Sequence, residues 1–255
     1  MSYEPVPDLK GKRTLIIGAS NDSGPFVARC FAAPDSRLAL TYHSDLPAAK
    51  RVAAECRELG AEVDTFQLDL MDMASCDALI PAVVDKLGGL DYVIALAGAG
   101  ADYTPLSEIT PEQFINAIQG QVGGSFVIAR NAAQHMPDDG SARIVLISAT
   151  SCYKYHHAGY GYAKKCLNEL TGFLACELAS RKITVNTLIP QLIDLESISQ
   201  EMRDKRKRFT PLGLIPHPEQ IGGICRVLCS PLFNIVTGET ITMDGGYRLR
   251  PLEDK

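Results

Sequence analysis

The chain has 255 residues, 46% of them apolar, with a formal net charge of −5. This length and apolar share support a sizeable core, in one large α/β domain or two small ones. The acidic balance argues against a nucleic-acid binder, a class that is usually basic, and no uncharged apolar run is long enough to span a bilayer.

In chain order the predicted elements alternate. Arg13 to Gly18 (RTLIIG) is a short apolar run ending in glycine, the pattern of a buried strand. Ser23 to Ala33 has helical spacing, and Arg37 to Tyr42 is a second strand. A helix follows over Pro47 to Leu59, stopped by Gly60. Glu62 to Leu68 is a strand, Ser75 to Leu87 a helix, and Asp91 to Ala97 a fourth strand. Pro111 opens one long helix reaching about His135, with Thr110 as its N-cap. Arg143 to Ser148 is the fifth strand, Gly159 to Ser180 a helix, and Ile183 to Leu188 the sixth strand. Residues 191–217 read as irregular, Pro218 to Leu228 as a helix, and Glu239 to Met243 as a last strand. Near-continuous apolar strands alternating with helices predict a doubly wound parallel sheet of about seven strands covered on both faces, in one domain spanning 1–255. In such sheets ligands bind at the carboxyl ends of the strands, where the strand order reverses.

The N-terminal residues MSYEPVPDLKGKR have neither the apolar stretch nor the cleavage pattern of a secretory signal. Eight scattered cysteines form no C-x-x-C pair and read as reduced residues of a cytoplasmic protein. Cys225 and Cys229 share a helix face but have no His or Cys partners nearby, so no metal is expected.

Three connections carry chemistry. After the first strand, Gly18-Ala19-Ser20-Asn21-Asp22-Ser23-Gly24 opens a helix. A glycine turn at a helix N-terminus offers N–H donors and a positive helix end to a pyrophosphate. Asp69, followed by Leu70, closes the third strand, where an acceptor can meet an adenine amino group. Gly98 and Gly100 follow the fourth, where small residues allow a cofactor to approach the backbone.

With these pieces the chain resembles the short-chain dehydrogenase/reductase family from about Leu9 to Leu249. The resemblance rests on Gly18 and Gly24 of a G-x-x-x-G-x-G turn, Asp69, Ala97-Gly98, and Tyr160-x-x-x-Lys164 after the fifth strand. "ITVNTLIP" with Asn186 and Pro190, "PLG" at 211–213, and "TGETITMDGG" at 237–246 complete it. The resemblance implies hydride transfer between a nicotinamide and a carbonyl or alcohol carbon, with cofactor contacts extending to Pro190, Gln191 and Ile193. Tyr160 would give its proton to the developing alkoxide. A phenol titrates near 10, and a lysine cation one helical turn away is expected to lower that value.

The departures from the family pattern cluster at the site. The middle glycine of the turn is Asp22, which either caps the helix or repels a pyrophosphate. Ala95 and Leu96 replace paired asparagines, and Leu195 a threonine. Gln121 stands at an active-site asparagine position, where it can order a relay water. Ala149 falls at the catalytic serine position; of Ser148, Thr150 and Ser151 nearby, Ser148 or Thr150 is expected to polarise the substrate carbonyl, and a site with no hydroxyl in that role stays open. A non-redox isomerase, dehydratase or cyclase, and a silent nucleotide-binding regulator, stay open beside the reductase.

The second strand ends without an acid. His43 and Ser44 there favour a 2′-phosphate and hence NADP(H), with NAD(H) still open; Asp45 lies beyond the tip. Residues 191–216 resemble a substrate lid, and Arg203, Lys205, Arg206, Lys207 and Arg208 on it are either a solvated face or steer an anionic or carrier-bound substrate. His156, His157, Tyr153, Tyr155 and Tyr103 are candidates for the pocket mouth. The family implies a homodimer or homotetramer, with the helices from 111 and 159 and the last strand as contacts.

Overall fold

The computed structural model describes residues 6–20, 22–96, 98, 103–154 and 158–249. Seven strands form one parallel sheet: β1 (Arg13–Ile17), β2 (Arg37–Tyr42), β3 (Glu62–Gln67), β4 (Tyr92–Ala95), β5 (Arg143–Ile147), β6 (Thr184–Pro190) and β7 (Thr240–Met243). Their spatial order is β3-β2-β1-β4-β5-β6-β7, with Ile16 in register with both Leu40 and Ile94. The chain winds outward from β1 to β3 and then returns to β4 on the other side of β1. The β1/β4 boundary is therefore the switch point at which such sheets open a cleft.

Alternate strand residues feed two apolar layers, which explains why the strands read as continuous apolar runs. Leu15, Ile17, Val93, Ile144 and Leu146 pack with Ile80, Ile128 and Leu174 on one face. Ile16, Leu38, Leu40, Ile94 and Val145 pack with Val27, Phe31, Val52 and Ile221 on the other. The first layer is covered by α3 (Met73–Leu87), α5 (Gly124–Ala133) and α6 (Ala158–Leu178), the second by α1 (Gly24–Phe31), α2 (Leu46–Glu58) and α8 (Pro218–Leu228).

Two segments differ from the sequence expectation. The long helix expected from Pro111 is two helices, α4 (Pro111–Ile118) and α5, joined by a π-helical turn over Gln119–Gly123. Its N-terminus is the capping box that Thr110 predicts: Thr110 Oγ1 accepts from Gln113 N at 3.1 Å, and Gln113 Oε1 accepts from Thr110 N at 2.8 Å. Within 191–217, read as irregular, lies α7 (Gln200–Arg208), capped by Ser199, whose hydroxyl accepts from Met202 N at 3.2 Å. A helix of QEMRDKRKR carries almost no apolar stripe, so periodicity does not reveal it.

Candidate active site

The side chains of interest lie where β1 to β6 end. The β1–α1 turn is shaped for close approach. Gly18 takes φ +80° and its N–H donates to Thr41 Oγ1 at 3.0 Å. A Cβ on Gly24 would stand 2.8 Å from the Ala19 Cα, so only glycine lets α1 start this close to the strand. Ser20 is half-buried and Ser23 buried. Asp22 takes φ +50°, a region that costs an L-residue about 1–2 kcal/mol. It does not cap α1: the N-cap is Ser23, which itself makes no side-chain capping bond. The Asp22 side chain is exposed, and its charge reaches the Tyr160 phenol.

At the ends of β2 and β3, exposed His43 places Nε2 3.8 Å from Asp69 Oδ2, and Asp69 Oδ1 accepts from Met71 N at 2.8 Å. The expected phosphate contact and the expected adenine contact thus face one another. Ser44 is exposed beside them. Asp45 is committed to capping α2, accepting from Ala48 N at 2.7 Å. Leu70 is buried, its Cδ2 2.8 Å from where a Cβ on Gly124 would sit.

After β4, Gly98 lies against the π-helical turn. A Cβ there would stand 2.6 Å from Gln121 Nε2, so the glycine makes room for the buried amide of Gln121. Irregular helical turns of this kind are frequent at functional sites.

After β5, Ser148 and Thr150 are both buried. The Ser148 hydroxyl donates to the Lys164 carbonyl at 3.3 Å. Thr150 begins a 3-10 turn over Thr150–Tyr153, and its hydroxyl makes no hydrogen bond to the described residues. On the first turns of α6, Tyr160 stacks edge-on against Tyr103, with ring centroids 5.5 Å apart. Lys164 is 4% exposed; its Nζ donates to the Ile147 carbonyl at 3.0 Å and lies 5.8 Å from the Tyr160 ring centroid. Tyr162 turns away, half exposed, onto Phe114.

The electrostatics correct one expectation. The phenol of Tyr160 is pushed up from its ordinary value, chiefly by burial, then by Tyr103, Asp22 and Cys152. The Lys164 ammonium does not pull it down. Burial instead lowers Lys164 itself to about 8. Desolvation outweighs the cation because the ammonium is turned to the backbone of β5. Tyr160 therefore holds its proton through the neutral range.

At the end of β6, Pro190 closes the strand and Gln191 is buried. The Gln191 amide is bound up in the segment that follows: Nε2 donates to the Leu214 carbonyl at 3.1 Å and to Thr210 Oγ1 at 3.3 Å. Ile193 packs half-buried against the core. Asn186 braces the β6–β7 connection, bonding the Val236 carbonyl and Glu239 N. Asn21, Ala97, Gly100, Tyr155, His156 and His157 lie outside the described residues.

The sequence reading missed that Tyr103 packs on Tyr160, and that Lys154, Arg206 and Tyr247 come together. No local motif signals either contact, because each joins connections far apart in sequence.

Residues 18–248 match the family described as enoyl-(acyl carrier protein) reductase. The chain is 30% identical to 3beta-hydroxysteroid dehydrogenase 1 of Eggerthella lenta, with 96% of each chain covered. It is 28% identical to a 3-oxoacyl-[acyl-carrier-protein] reductase of Aquifex aeolicus, over 93% of this chain and 98% of that one. A solved short-chain dehydrogenase/reductase from Serratia marcescens superposes with a TM-score of 0.87 at 26% identity, covering 94% of this chain and 99% of that one. With the family model and these relatives covering almost the whole chain, the chain belongs to the short-chain dehydrogenase/reductase family of oxidoreductases.

Proposed function

We propose that the protein is an NADP(H)-dependent carbonyl reductase of ketoreductase type. The observation that carries this reading is the half-buried, protonated phenol of Tyr160, one helical turn from the Lys164 ammonium, across the switch point from the Gly18 turn. The left-handed Gly18 and the tight start of α1 at Gly24 shape the β1–α1 turn for a dinucleotide pyrophosphate at the carboxyl edge. His43 and Ser44 are the side chains for a 2′-phosphate; Asp45 is committed to its helix cap, and Asp69, 3.8 Å from His43, is the acid near them.

A bound reduced nicotinamide supplies the hydride to the carbonyl carbon. Tyr160 gives its proton to the carbonyl oxygen as charge grows there. An alkoxide is a far stronger base than a phenolate, so a phenol raised by burial still transfers downhill and is fully protonated at neutral pH. The resulting phenolate is reprotonated from solvent. Thr150 is the hydroxyl best placed to polarise the carbonyl, since that of Ser148 already has an acceptor. Losing such a donor costs about 3 kcal/mol of barrier. Gln121 orders the relay, and residues 191–216 form the lid over the substrate.

Free thiols at all eight cysteines fit a reducing compartment such as the cytoplasm. Exposed Ile115 on α4 and exposed Tyr162 and Phe173 on α6 support assembly as a homodimer or homotetramer. Titration with NADPH and NADH tests the nucleotide reading. Saturable binding of NADPH, tighter than NADH and raising Tm, is expected. No binding of either removes the reductase.

A further inference from the structure

The basic residues near the lid are not all a solvated face. Lys154 leaves the β5–α6 connection, Arg206 lies on α7 in the β6–α8 connection, and Tyr247 follows β7. The three meet. Lys154 Nζ donates to the Tyr247 hydroxyl at 3.0 Å and lies 4.9 Å from its ring centroid, and the Arg206 guanidinium carbon lies 4.4 Å from the same centroid. Both cations and the ring are half-buried. Beside them the Arg248 guanidinium sits 5.4 Å from the Tyr153 ring, and Tyr153 bonds Thr242 at 2.7 Å. Among the described residues, none of these three cations pairs with a carboxylate, whereas Arg203 on the same helix is paired with Asp194 at 2.5 Å. Two half-buried like charges on one ring repel one another, and the ring quadrupole offsets that only in part. Stacking fixes the guanidinium while leaving its edge N–H donors for a planar anion.

We infer that Lys154 and Arg206, held on Tyr247 and flanked by Arg248, form a subsite for an anionic group of the substrate, a carboxylate or phosphate remote from the reacting carbonyl. The inference rests on the reductase reading for its carbonyl but not for its anion. The cluster lies at the carboxyl ends of β5, β6 and β7. The dinucleotide's adenosine end is assigned to β2 and β3, on the other side of the switch point, so the anion belongs to the substrate half.

The test uses straight-chain keto acids of increasing length, from levulinate upward, each against its methyl ester. Binding is measured by calorimetry at low ionic strength on the wild-type protein and on the Lys154→Met/Arg206→Met variant. At the chain length that spans the pocket, the wild-type protein is expected to prefer the acid by about tenfold, and the double variant to lose that preference. Should the double variant not fold, Arg206→Gln carries the same comparison with part of the loss. A series with no preference for any acid, or a preference that survives in the variants, overturns the inference. A changed NADPH-to-NADH affinity ratio in the double variant would put a dinucleotide phosphate on the cluster and overturn the substrate assignment. Because binding is read without turnover, acid preference without NAD(P)H consumption would keep the subsite and reject the reductase, and the reverse pattern would do the opposite.

Discussion

Asp22 is the residue at which chain and ligand conflict most directly. It holds a left-handed conformation that glycine takes without cost, and it places a carboxylate in a turn suited to a pyrophosphate. Asp22→Gly is expected to tighten NADPH binding by about tenfold, with Asp22→Asn giving much of that gain by removing charge alone. Fluorescence titration measures both, and unchanged dissociation constants would mean that the carboxylate points clear of the phosphates. Lys164 gives a prediction whose sign follows from its burial. Its pKa is 10.5 ordinarily and about 8 in the fold. Between those values the unfolded chain holds a proton that the folded chain lacks, so this group makes stability rise with pH across the window; below about 8 the unfavourable burial of the ammonium is fully present. In urea unfolding, the wild-type protein should gain up to about 3 kcal/mol relative to Lys164→Met as pH rises through this range. A pH-independent difference would contradict the burial of the amine.

At the scale of elements, most strands and helices were legible because alternating burial on two faces and capping residues such as Thr110 write themselves into the local pattern. Residues that answer to distant partners were not. The π-helical turn accommodates Gln121 against Gly98, a contact between connections that no local period records. The helix α7 is held by Ser199, by the Arg203–Asp194 pair and by charge, leaving no apolar stripe to read. Gln191 resembled a cofactor contact, yet its amide ties the end of β6 to Thr210 and Leu214. Gln191→Ala leaves those partners unsatisfied and is expected to cost about 1–3 kcal/mol, with faster proteolysis within 192–216. Equal protease resistance would show that this segment is anchored elsewhere.

For the whole molecule, the parallel sheet was readable from alternation, but the strand order, and with it the switch point between β1 and β4, was not. The electrostatic balance was not readable. Sequence spacing sets Lys164 one turn from Tyr160, but only the packing of α6 on β5 shows the ammonium turned to the Ile147 carbonyl. Assembly belongs to this scale as well. Light scattering should give a dimer or tetramer, and Tyr162→Glu with Phe173→Glu should shift it toward monomer, since both side chains are large, apolar and half exposed. A monomeric wild-type protein would contradict that expectation. The account turns most directly on Tyr160→Phe, assayed for both NADPH affinity and NADPH-dependent carbonyl reduction. Retained nucleotide binding with turnover lost is the expected result; reduction at the wild-type rate would mean that another group delivers the proton.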